Sequence, residues 1–153
     1  MREAALLSMA EKVRSRTLEA LRSVPEEQAD VIPAGSGFRN NLRWQAGHIL
    51  YTQEVLTRKF AGIPIEFGDD WKRWFGRGSS PADWTTEPPS YAGLLERLAS
   101  QPARIRESLA GRLDERLDRP FLDNETVGEV FLFSLYHEGI HTGHIAALRK
   151  LVL

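Results

Sequence analysis

The sequence predicts an all-α fold, a four-helix bundle with one long connection between its second and third helices. Three observations lead there. Four stretches carry apolar residues at the three- and four-residue spacing of a helix face. No stretch shows the period-two alternation of a strand, and there is no internal repeat. A segment rich in Gly, Pro and Trp separates the second stretch from the third. Four helices with one long crossover bury their apolar stripes as a bundle.

The first helix is expected over roughly residues 2–24, where Ala5, Leu6, Met9, Val13, Leu18, Leu21 and Val24 form the stripe and Pro25 stops it. "VIPAGSGFRNN" reads as a loop. The second helix, roughly 39–60, carries Leu42, Trp44, Ile49, Val55, Leu56 and Phe60. The connection "AGIPIEFGDDWKRWFGRGSSPADWTTEPPS" has no sustained period but holds three of the four tryptophans. Those rings need a surface to pack on, so the segment is expected to be ordered, either as a lid or as a cap on the bundle end. The third helix, roughly 90–110, starts at Ser90 as N-cap, and Pro102 is expected to kink or split it. The fourth, roughly 127–151, opens with the capping box Thr126-Val-Gly-Glu129.

The whole of residues 1–153 reads as one domain, long enough to bury a core unaided. With no cysteine, disulfides, thiolate metal sites and cysteine nucleophiles are excluded, and a cytoplasmic location is expected. A net charge of −1 without a clustered basic face gives no surface for nucleic acid. The first helix places charges within its apolar stretch, so neither a signal peptide nor a membrane span is expected.

The chemistry concentrates in "FLFSLYHEGIHTGHIAALRKLVL". His137 and His141 are four apart, on one helix face with β-carbons about 6 Å apart. An ion about 2.1 Å from each ring nitrogen can bridge such a pair. His144, three beyond His141, shares that broad face, so the pairs 137/141 and 141/144 are both open. His137 and His144 cannot form a pair, being separated by about 10.5 Å along the axis. HEGIH is formally the zinc-peptidase signature, but the continuation fails. One variant needs Gly and His where His144 and Ala147 stand, and the other needs a downstream glutamate that is missing. A third ligand must therefore come from upstream, and His48 is the remaining histidine. The small step Ala46-Gly47 before it allows close helix approach.

"NNLRWQAGHIL", the long connection and "YHEGIHTGHIAALRKL" together resemble the DinB/YfiT-like superfamily. The resemblance covers almost the whole chain. It implies a divalent metal, zinc or nickel foremost, held by His48, His137 and His141. His144 departs from the family pattern, in which glutamine is common, and is then a pocket residue beside the metal. Relatives imply a small-molecule metalloenzyme: a metal-dependent hydrolase, or a transferase or isomerase that uses a low-molecular-weight thiol. A homodimer is expected. The competing expectation is a non-catalytic metal-binding or stress-associated oligomerisation domain. Three protein ligands leave a coordination position open, as catalytic ions require. Glu138 and His144 are the candidate catalytic groups, with Tyr136, Tyr51 and Gln45 as further candidates for acid–base work or ligand support. A pocket of a few hundred cubic ångström at the open position favours the enzyme reading.

Overall fold

The computed structural model describes residues 2–153. Five α-helices and a small two-stranded sheet follow in the order α1 (Glu3–Arg22), α2 (Leu42–Glu54), α3 (Asp69–Phe75), α4 (Tyr91–Leu109), β1 (Arg116–Phe121), β2 (Asn124–Thr126) and α5 (Val127–Val152). The four long helices α1, α2, α4 and α5 pack in a closed ring, in which α1 and α2 each touch both α4 and α5. Among the described residues no helix is long and apolar enough to cross a membrane.

Local chemistry explains the helix ends. Asn41 caps α2 by accepting the Trp44 amide, Ser90 caps α4 through Gly93, and Thr126 and Glu129 form the full capping box of α5. After Glu54 the second helix continues as one π-helical turn, Val55–Lys59.

Pro102 does not split α4, which runs unbroken from Tyr91 to Leu109. A proline inside a helix strips the carbonyl four residues earlier of its N–H partner. Here that carbonyl belongs to Leu98, and the Arg14 guanidinium donates to it at 2.8 Å. A buried side chain from α1 thus repairs the ladder.

The hairpin between α4 and α5 was not expected from the sequence. Its strands are short, the exposure of β1 does not alternate, and its turn is Leu122-Asp123, both with positive φ. A leucine there is unusual, since such turns favour Gly, Asn and Asp. Tertiary packing holds it in place: the Phe121 ring lies 5.1 Å from Phe60 and 5.5 Å from Phe133.

The apolar core has two parts. One gathers Leu21, Leu42, Ile49, Leu50, Leu94, Leu98, Ile145 and Leu148 with Phe75 from the connection. The other gathers Leu6, Ile105, Leu109, Val127, Phe131 and Leu135. Along α1, α4 and α5, buried polar residues sit between the two: Arg14 and Thr17 on α1, Gln101 on α4, Glu138 on α5. Buried polar groups are tolerated when bonded. Arg14 grips Glu138 with Nε on Oε1 at 2.8 Å and Nη2 on Oε2 at 3.1 Å, and the Thr17 hydroxyl donates to Oε1 at 2.8 Å.

Candidate metal centre

His48 from α2 and His137 and His141 from α5 meet at one point. Each offers a ligand nitrogen, and the three nitrogens lie within 4.8 Å of one another. The His48 and His137 Nε2 atoms are 3.1 Å apart. Two nitrogens bound to one tetrahedral ion at about 2.1 Å each stand about 3.4 Å apart. The spacing is therefore close to that of a loaded site before any movement.

Two of the rings are held so that a lone pair faces the site. His48 Nδ1 donates to the Phe75 carbonyl at 2.6 Å. His141 Nδ1 donates to Gln45 Oε1 at 2.7 Å, and Gln45 Nε2 in turn donates to Asn40 Oδ1 at 2.9 Å. In a neutral imidazole a proton on Nδ1 leaves Nε2 bare, which is the form a metal binds. Trp44, one turn before His48, stacks on its ring at 4.5 Å between centroids and 10° between planes.

The long connection turns out to support the site. α3 lays the fully buried Phe75 against Gly47. A β-carbon at Gly47 would collide with the Phe75 ring. The glycine before His48 therefore admits the residue whose carbonyl orients His48. Trp71, Trp74 and Trp84 are half-buried against the same core, so the aromatics cap this end of the helices.

The other candidates lie elsewhere. Glu138 does not face the histidines. It is 1% exposed, and both oxygens are taken by Arg14 and Thr17. This corrects the expectation that it serves as an acid or base, and its physical cause is the turn of about 100° per residue that sends it to α1. His144 is exposed, outside the ligand group, with its ring 6.2 Å from Phe38 and 5.3 Å from His141. Tyr136 is exposed and packs on Phe133. Tyr51 packs on Phe67, and burial followed by the nearby Asp69 raises its pKa. Of the further candidates, Gln45 reaches a ligand. The Phe75 carbonyl and Asn40 escaped the sequence reading. The signal for the first was Gly47, whose missing side chain requires a partner.

Burial keeps all three rings neutral near pH 7. It pushes His48 down to about 4, with His137 lowering it further against the Phe75 hydrogen bond. It pushes His141 to about 3, helped by His48, His137 and His144, and it also lowers His137. An unfolded chain takes up protons near pH 6.5 that these folded rings refuse. The stability tied to the neutral rings is fully present above that value and falls as the pH drops towards 4. Metal-free protein is expected to lose melting temperature over this window. A His48→Gln/His141→Gln variant is expected to lose less, as differential scanning fluorimetry at stepped pH would show.

A cleft of about 490 Å³ opens at the histidines. Leu56, Phe121, Leu122 and Phe133 supply apolar wall, and Thr52 and Arg77 supply polar groups.

A conserved protein from Enterococcus faecalis, known from a crystal structure, shares the fold with a TM-score of 0.66 and 16% identity, over 99% of this chain and 98% of that one. No curated protein matches the chain. The family model of the DinB superfamily matches residues 9–145, a span that includes all three clustered histidines. The chain belongs to the DinB superfamily.

Proposed function

We propose that this protein is a small-molecule metalloenzyme, built as a four-helix bundle, in which His48, His137 and His141 hold a divalent ion. Zinc and nickel are the foremost candidates from the family resemblance, among the ions that imidazole suits. The observation that carries the reading is the cleft of about 490 Å³ opening directly on the three histidines. A purely structural metal site is closed on all sides, whereas a catalytic one keeps a face open to a substrate.

When bound, the ion supplies Lewis acidity to a substrate carbonyl, thiol or water. The chain's own residues do the rest. His48 and His141 present bare nitrogens because the Phe75 carbonyl and Gln45 hold their protons on Nδ1. Trp44 covers one face of His48 and keeps it from rotating. The apolar wall excludes water from the substrate body. Among the described residues no carboxylate lines the cleft, so acid–base work falls to the substrate itself or to an added thiol. The family resemblance suggests hydrolysis or transfer to a low-molecular-weight thiol as the reaction class. A non-catalytic metal-binding or oligomerisation domain is the second reading, and the open cleft argues against it.

The test is metal analysis of untagged protein by mass spectrometry, followed by a screen of thiol transfer and of ester and amide hydrolysis. One equivalent of bound metal with turnover that a chelator abolishes is expected. Stoichiometric metal without turnover on any of these classes would favour the second reading.

A further inference from the structure

This inference rests on reading the histidine cluster as a metal-dependent small-molecule site, and it concerns what that site accepts. The cleft at the histidines carries one formal charge among its lining side chains, Arg77. Among the described residues eight of the sixteen arginines pair with carboxylates, Arg14 with Glu138, Arg43 with Glu87, Arg58 with Glu54 and Arg112 with Glu115 among them. Among the described residues Arg77 meets no carboxylate within ion-pair distance, although it is exposed at the rim of an apolar cavity.

The backbone that presents Arg77 is fastened to the metal centre. Phe75, two residues earlier, accepts the His48 Nδ1 proton. Gly78, just after, has φ +83°, a left-handed conformation that glycine adopts without strain. Ser79 Oγ lies 2.7 Å from the Gly76 carbonyl and 3.1 Å from the Trp74 carbonyl, sharing its proton between them. The same oxygen accepts the Trp44 indole N–H at 2.9 Å. Trp44 in turn stacks on His48. The loop Phe75–Ser79 is thus tied to His48 from both ends, which fixes where Arg77 leaves the backbone.

A guanidinium is a planar fork that recognises carboxylate or phosphate oxygens in pairs, and it is more weakly hydrated than an ammonium. We infer that Arg77 is the substrate-orienting residue of this cleft, and that the substrate is a small amphipathic anion. Its carboxylate or phosphate group meets Arg77, its apolar body lies along Phe121 and Phe133, and its reacting end faces the histidines. Arg77 then acts on affinity for the anion and leaves affinity for the metal unchanged.

The experiment uses the full chain loaded with zinc and isothermal titration with three probes: phenylacetate, phenyl phosphate and the neutral phenylacetamide. Hydrogen bonds to charged groups contribute about 1.5–3 kcal/mol. The better anion is therefore expected to bind the wild type about 10- to 100-fold more tightly than the amide. Arg77→Gln should bring it to the amide's level, with zinc affinity unchanged. The stronger of phenylacetate and phenyl phosphate identifies the group. An anion preference that survives in zinc-loaded Arg77→Gln overturns the inference, because direct contact with the metal would then be its source. Equal affinity for anion and amide in the wild type, or no binding of either anion, also overturns it. Failure of the wild type to bind zinc instead removes the metal reading, and this inference with it.

Discussion

His141→Ala is expected to abolish divalent-metal binding, while His144→Ala keeps an occupied site. His141 lies at the centre of the ligand group, 4.5 Å between ring centroids from both His48 and His137. Its loss leaves two nitrogens and also frees Gln45, whose Oε1 accepts the His141 proton. His144 is exposed and outside the ligand group, touching the site through its edge contact with His141. Residues that support a ligand typically change metal affinity about 10- to 100-fold when removed. His144→Ala should fall at the low end, about tenfold or less, because it makes no hydrogen bond to a ligand. Titration of these two variants and of His137→Ala with zinc decides between the two histidine pairs. Complete loss in His144→Ala, together with retention in His137→Ala, would place the ion between His141 and His144.

Arg14→Ala is expected to lower folding stability by about 3–5 kcal/mol, the usual cost of stranding one partner of a buried ion pair. Both groups are nearly inaccessible, with side chains 4% and 2% exposed. Removing Arg14 strands the Glu138 carboxylate, with only Thr17 still donating to it. It also removes the donor that serves the Leu98 carbonyl, which Pro102 leaves without a helical partner. The damage therefore reaches three helices. Arg14→Met combined with Glu138→Leu should be less destabilised than Arg14→Ala, since no unpaired charge remains and the volume is largely kept. Urea denaturation of the three proteins measures this. A loss below about 1 kcal/mol in Arg14→Ala would mean that water replaces the guanidinium at Glu138. The metal site lies on another face of α5, so zinc affinity of the folded fraction should hold.

The hairpin shows why part of the fold was not legible. Strands are read from alternation and from turn residues, and here alternation is missing and a leucine stands beside the one favoured turn residue, Asp123. Leu122 and Asp123 occupy left-handed positions where the sequence carries no glycine or asparagine, and the hairpin holds by seating Phe121 between Phe60 and Phe133. Pro102 shows the reverse. The local rule expects a kink or a split; the helix is not split, and a long-range bond from Arg14 serves the carbonyl that the proline leaves free. Glu138 was legible as a residue off the histidine face, at about 100° from His137, but not as one half of a buried pair. Its partner lies 124 positions away.

What the sequence determined by itself was local. Helical periodicity and the capping residues located the four long helices, because their hydrogen bonds and caps join residues at most four apart. The spacing of His137 and His141 placed two nitrogens side by side for the same reason, and the absence of cysteine narrowed the donor set to imidazole and oxygen. Only the tertiary structure decided the rest. It brought His48, named from the sequence as the remaining histidine, up to a pair 89 and 93 positions further along, a distance that no periodicity spans. It assigned the protons, through a carbonyl from α3 and an amide anchored on Asn40. It opened the cleft by placing the hairpin and the Arg77 loop across the histidines. Those features depend on which surfaces meet when the helices close around their core, and that meeting is settled by the packing of side chains far apart in the chain.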